Sequence, residues 1–159
     1  MAWANSKIFR PYFADIAANT TAMDLDGTDT LRAALYNNSV TPSQDVTSAL
    51  SAYNAATSQW VVANEVSQAV QWPAAGVALT SPVVNSGTAG VVFFDAADTA
   101  SGSAATLASV FGCLVYDDTI TTPVADQGIC FNYFGGTNSV TNGTFTVVWS
   151  ANGIWRLTL

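Results

Sequence analysis

Apolar and polar side chains alternate along residues 144–150 and again along 154–159, with Ala151, Asn152 and Gly153 between the two runs. Alternation of period two marks a half-buried strand, and two such runs around a short loop predict a hairpin. Its register follows from which faces match. A two-residue Asn-Gly turn sets Trp149 opposite Arg156 and Val147 opposite Thr158, which mixes apolar and polar groups on each face. A three-residue loop sets Trp149 opposite Trp155, Val147 opposite Leu157 and Phe145 opposite Leu159, and leaves Thr144, Thr146, Ser150, Arg156 and Thr158 on the other face. A one-residue slip would reverse every side chain, so the second register is expected, closed by Gly153 in the left-handed conformation. The resulting hairpin has one apolar face and needs a second layer to cover it.

The rest of the chain supplies candidates for that layer. Residues 24–29, DLDGTD, read as an acidic turn leading into a strand over 30–38. Residues 15–23 suit one or two helical turns, and Pro42 just inside a Thr or Ser cap, followed by Val46, Leu50 and Tyr53, predicts a short surface helix. Residues 58–70 and 76–84 are β-prone, with Pro73 at a turn or edge between them. Residues 83–95 read as a hairpin around 85–90, with 91–94 apolar on both faces and therefore central. Residues 107–116 form the longest near-continuous apolar run and read as a core strand, followed by a strand over 129–134 and a polar loop over 135–143. Eight or nine short strands with polar turns, at most one or two short helices and no internal seam predict an all-β chain. The expected fold is an antiparallel β-sandwich or jelly-roll-like single domain over 14–159.

Residues 1–13 fit neither period. Trp3, Ile8, Phe9, Tyr12 and Phe13 are interspersed with polar residues and cations, and Pro11 interrupts any helix. The segment reads as an extended N-terminal arm. Trp3, Lys7, Ile8, Phe9, Arg10 and Tyr12 are its candidate anchors for docking on a neighbouring protein, outside the domain's own core.

Composition narrows the function. Half the residues are apolar and only 9% are charged, so the surface is built from neutral hydroxyl and amide groups that dehydrate cheaply, as suits a protein that lives in assemblies. The net charge is −7 with four cations, two of them within the first ten residues, which argues against direct nucleic-acid binding. No apolar run is long enough to span a bilayer. Cys113 and Cys130 lie in apolar runs and read as buried, reduced thiols.

The absence of histidine removes imidazole triads, the usual zinc sites and the commonest general base. The remaining acidic sets, Asp24 with Asp26 and Asp29, Asp95 with Asp98, and Asp117 with Asp118, lie in turns that favour Asp on backbone grounds. The twelfth position of a calcium loop starting at Asp24 falls on Leu35, where that loop needs a bidentate Glu. The five tryptophans offer stacking faces for sugar rings only if they are exposed, and Trp149 and Trp155 already have a core assignment. The chain reads as a non-enzyme with no cofactor.

Four stretches, DLDGTDTLRAALYNNSVTPSQD at 24–45, ANEVS at 63–67, GCLVYDD at 112–118 and NGTFTVVWSANGIWRLTL at 142–159, resemble a family of small structural proteins encoded in the virion gene clusters of tailed bacteriophages. The resemblance covers residues 24–159 in order and spacing. It implies a β-rich, non-enzymatic virion component, made in the host cytoplasm, with no catalytic residues to carry over. Size, the lack of a repetitive shaft and the sticky arm favour a capsid decoration (cement) protein. Its expected partners are the major capsid protein and neighbouring copies of itself, as a homo-oligomer. The alternative is a minor tail or tail-tip protein with a glycan-binding role.

Overall fold

The longest ladder of the fold is formed by two strands that the sequence places side by side. β7 (Ala105–Asp117) and β8 (Gly128–Gly143) run antiparallel over most of their length, and the computed structural model, which describes residues 3–159, builds a five-stranded sheet around them. Its order is β1-β8-β7-β2-β3, with β1 at Lys7–Ile8, β2 at Leu31–Tyr36 and β3 at Val77–Ala78. A three-stranded sheet pairs β4 (Val83–Asn85) with β5 (Val91–Asp95) and β5 with β10 (Trp155–Thr158). A two-stranded ribbon joins β6 (Thr99–Ala100) to β9 (Thr146–Val147). Among the described residues every strand pairing is antiparallel, and the fold is an all-β, sandwich-like single domain with two short helices, α1 at Arg10–Ala17 and α2 at Ser48–Ser51.

Register shows why β2 and the second half of β7 are buried on both sides. Directly paired residues share a face. Val77, Ala33, Val115, Cys130 and Ile8 therefore form one row across all five strands, while Ala34, Leu114 and Phe131 point the other way. The first face meets the smaller sheet, where Ile8 and Cys130 border the same space as Ile154 and Trp155. The second face is covered by aromatic rings from outside the sheets. Trp60 stands edge-on to Tyr36 with ring centroids 5.0 Å apart, and Tyr53 stacks on Tyr116 at 4.8 Å.

The N-terminal segment is where the expectation of an arm fails. Its first two residues lie outside the described residues, and from Trp3 onward it belongs to the domain. Trp3 and Phe9 are fully buried and Tyr12 nearly so. Trp3 lies edge-on to Trp60 and Phe131, Phe9 packs on Phe131 and Trp60, and Tyr12 and Phe13 both meet Trp155 of the smaller sheet. Lys7 and Ile8 pair with Phe131 and Cys130 as an edge strand. Pro11 occupies the first turn of α1, where the missing N–H would have had no partner in any case. Two glycines make room: a Cβ on Gly112 would strike the Trp3 ring, and one on Gly128 would strike the Phe9 ring. As docking anchors, Trp3, Phe9 and Tyr12 have no accessible side chain, whereas Lys7 and Arg10 are exposed and Ile8 is partly so.

The closing hairpin also differs. The turn is present, with the Gly153 N–H donating to the Ser150 carbonyl and Gly153 at φ +87°. The strands it connects do not pair with each other. β9 pairs with β6, setting Val147 opposite Thr99, and β10 pairs with β5, setting Trp155 opposite Phe94 and Leu157 opposite Val92. Val147, Trp149 and Trp155 are buried, but Leu157 is 37% exposed. Two non-local ladders and a shared place in the core replace the single local ladder.

Several smaller expectations also separate. The hairpin over 83–95 forms with β5 central in its sheet, and residues 107–116 lie within β7. Residues 58–70 carry only a 3-10 turn at Val62–Asn64 and isolated bridges, and the expected helix after Pro42 shrinks to α2, capped by the Thr47 side chain. Residues 135–143, expected as a loop, continue β8 with alternating exposure, because β7 extends far enough to pair with them.

Cys113 and Cys130 are free and fully buried, and burial pushes the Cys130 thiol up to about 12 and Cys113 well above its ordinary value. Unfolding midpoints with and without reductant are expected to coincide, and neither thiol should react with a water-soluble disulfide reagent before unfolding. A midpoint that falls on reduction would show that the two are bridged.

Candidate functional site

Among the described residues, the outer edge of β8 past Tyr133 pairs with no strand. β1 covers that edge only as far as Lys7, opposite Phe131, and the next outward amide, that of Tyr133, donates to the Ser6 hydroxyl at 2.9 Å. Beyond it the ladder with β7 is interrupted. Gly112 pairs with Tyr133 and Val110 with Asn138, so residues 134–137 have no register partner on β7. The bulge contains Gly135 at φ +78° and Gly136 at φ +155°, and a Cβ on either would meet open space.

Facing this edge is the stretch that carries β9. The Phe145 carbonyl accepts from the Ser101 N–H and the Trp149 N–H donates to Asp98 Oδ1, so residues 145, 147 and 149 turn their backbone groups toward β6. Period two then turns those of Thr146 and Val148 away from it. Thr146 and Val148, with Val148 71% exposed, line a hollow of about 410 Å³ together with Phe134, Asn138 and Phe145.

That hollow continues in both shape and residues. A second space of about 170 Å³ shares Phe134, Val147 and Val148 with it, and shares Ser6, Asn132 and Ile154 with a third of about 240 Å³. The third is bordered by Lys7 and Arg156. The three form one groove, apolar at the Phe134–Phe145 end and cationic at the other. The charge placement is selective. Arg10 pairs with Asp45 at 3.4 Å, and Arg32 donates to Asp118 at 2.6 Å, a bond that raises the Arg32 pKa. Lys7 and Arg156 are the two cations that make no ion pair among the described residues, with Arg156 held by Asn152 Oδ1 at 2.7 Å. A chain of net charge −7 thus brings both to one groove.

No family model, curated protein or solved structure matches this chain.

Three carboxylates of the acidic sets serve the backbone, Asp118 pairs with Arg32, and Asp95 Oδ1 is buried without a partner among the described residues. Asp29 Oδ2 accepts from the Asp24 N–H, Asp26 Oδ2 from the Val84 N–H and Asp98 Oδ1 from the Trp149 N–H. Asp117 has a second carboxyl beside it. It is fully buried, its Oδ1 accepts from the Thr119 and Ile120 N–H groups, and its Oδ2 finds no N–H or O–H donor. What faces Asp117 is the Asp29 carboxyl, and two carboxyls can bond only when one carries a proton. Burial first, and Asp29 second, hold the Asp117 carboxyl up at about 7. All five tryptophans are 9% exposed or less, so none presents an open ring face for stacking on a sugar. Of the six residues expected to dock, Lys7 and Ile8 border the groove; Arg156, Val148 and Phe134 were not among them.

Proposed function

We propose that the chain is a non-enzymatic structural protein of a tailed bacteriophage virion, a capsid decoration (cement) protein that binds the major capsid protein. The observation that carries the binding role is the groove: an open strand edge, an exposed apolar stretch and the unpaired cations Lys7 and Arg156 converge on one concave surface. The virion setting is supported by the resemblance of residues 24–159 to phage structural proteins, and a surface poor in ionic groups supports life in an assembly. Docking passes from the N-terminal aromatics, which are core, to the groove. Quantitative mass spectrometry of purified virions tests the reading. Hundreds of copies per particle are expected, and a copy number of a few would move the protein to the tail tip.

A further inference from the structure

We propose that the groove takes an extended, acidic segment of a partner protein as an added β-strand, alongside β8 and against Thr146 and Val148. Edge strands in folded proteins are normally shielded, because unpaired N–H and C=O groups template the pairing of another chain. Among the described residues β1 shields β8 only through Lys7, and no strand pairs with the outer edge of β8 past Tyr133, whose N–H donates to Ser6. The Gly135-Gly136 bulge removes side chains where an incoming backbone would pass, a common meaning of glycine within a strand. Across the gap, the backbone of Val148 makes no hydrogen bond among the described residues and turns away from β6. Main-chain pairing of this kind supplies affinity, and pockets for alternate side chains supply specificity.

Charge decides which segment fits. Lys7 and Arg156 border one end of the groove on a body of net charge −7, so an Asp or Glu there is attracted locally and a basic segment gains nothing comparable. At the other end, Phe134, Phe145 and Val148 fit an apolar side chain. The occupant is thus an extended segment carrying an acidic residue followed or preceded by apolar residues at alternate positions. The inference rests on reading the groove as the docking surface, but not on the virion setting.

The probe is a random peptide library of about twelve residues, selected on the full chain. Selected peptides are expected to share an acidic residue near apolar ones and to bind about tenfold or more weakly to the Lys7→Glu/Arg156→Glu variant, as loss of a charge-assisted contact predicts. N-methylation of alternate backbone amides in one register should abolish binding, while the other register is tolerated. Both substituted positions are at the surface, and an unchanged melting curve confirms that the variant is folded. The proposal is overturned if no peptide binds tighter than about 100 µM, if the double variant binds equally well, or if both N-methylated registers are tolerated. It is also overturned if the chain dimerises in solution and Val148→Asp dissolves the dimer, which would make a second copy the occupant. Peptide binding combined with a low virion copy number would remove the capsid reading and leave this one standing.

Discussion

Phe9→Ala is expected to destabilise the domain by about 3–5 kcal/mol, the range for removing a fully buried aromatic ring, and Trp3→Ala by a similar amount. Both rings pack against Trp60 and Phe131, and Gly112 and Gly128 leave the room they occupy. Since whole domains are stable by only about 5–15 kcal/mol, removing residues 2–13 should leave a chain that does not fold. Chemical denaturation of the two point variants measures the effect. Midpoints unchanged from the parent would mean that the segment is held loosely against the sheet and that its aromatics are free to act elsewhere.

Asp117→Asn should stabilise the protein by about 1–3 kcal/mol at pH 8 and have little effect at pH 4. The sign follows from the carboxyl held at about 7 by burial and by Asp29, against an ordinary 3.8. At pH 3 the carboxyl is protonated whether the chain is folded or not. Between about 4 and 7 the unfolded chain gives up this proton and the folded chain keeps it, so the folded state binds more protons and stability falls as pH rises. Above 7 the penalty is complete, because a buried carboxylate then faces Asp29 with no donor for Oδ2. Asn has the same shape, keeps an oxygen for the Thr119 and Ile120 N–H groups, and turns an N–H toward Asp29. Parallel melting curves for parent and variant from pH 4 to pH 8 would show that Asp117 carries no such penalty.

What could be read from the chain was what local pattern determines. The hairpin of β4 and β5, the apolar run of β7 and the turn at Gly153 depend on residues within a few positions of one another. The closing hairpin was misjudged because matching faces is necessary for pairing but does not choose the partner. Phe94 matches Trp155 as well as Trp149 does, and Thr99 accepts Val147. The second half of β8 was hidden by its polarity: an edge strand with alternating exposure can be written in Gly, Thr, Asn and Ser, which is also the vocabulary of loops. The N-terminal segment lacked a period because its rings fill gaps in a surface made by other elements. The groove had no sequence signal, since Lys7 and Arg156 meet only when β1 and β10 come to the same side of the sandwich.

The contact of Tyr12 and Phe13 with Trp155 has a consequence for synthesis. Residues 3–13 leave the ribosome well before the rings they must pack against, which belong to Trp60, Phe131 and Trp155. Loop closure over such separations comes late in folding. Trp3, Phe9, Tyr12 and Phe13 therefore lack their packing partners while the intervening residues are made, and the nascent chain cannot complete its core until β10 is free of the exit tunnel.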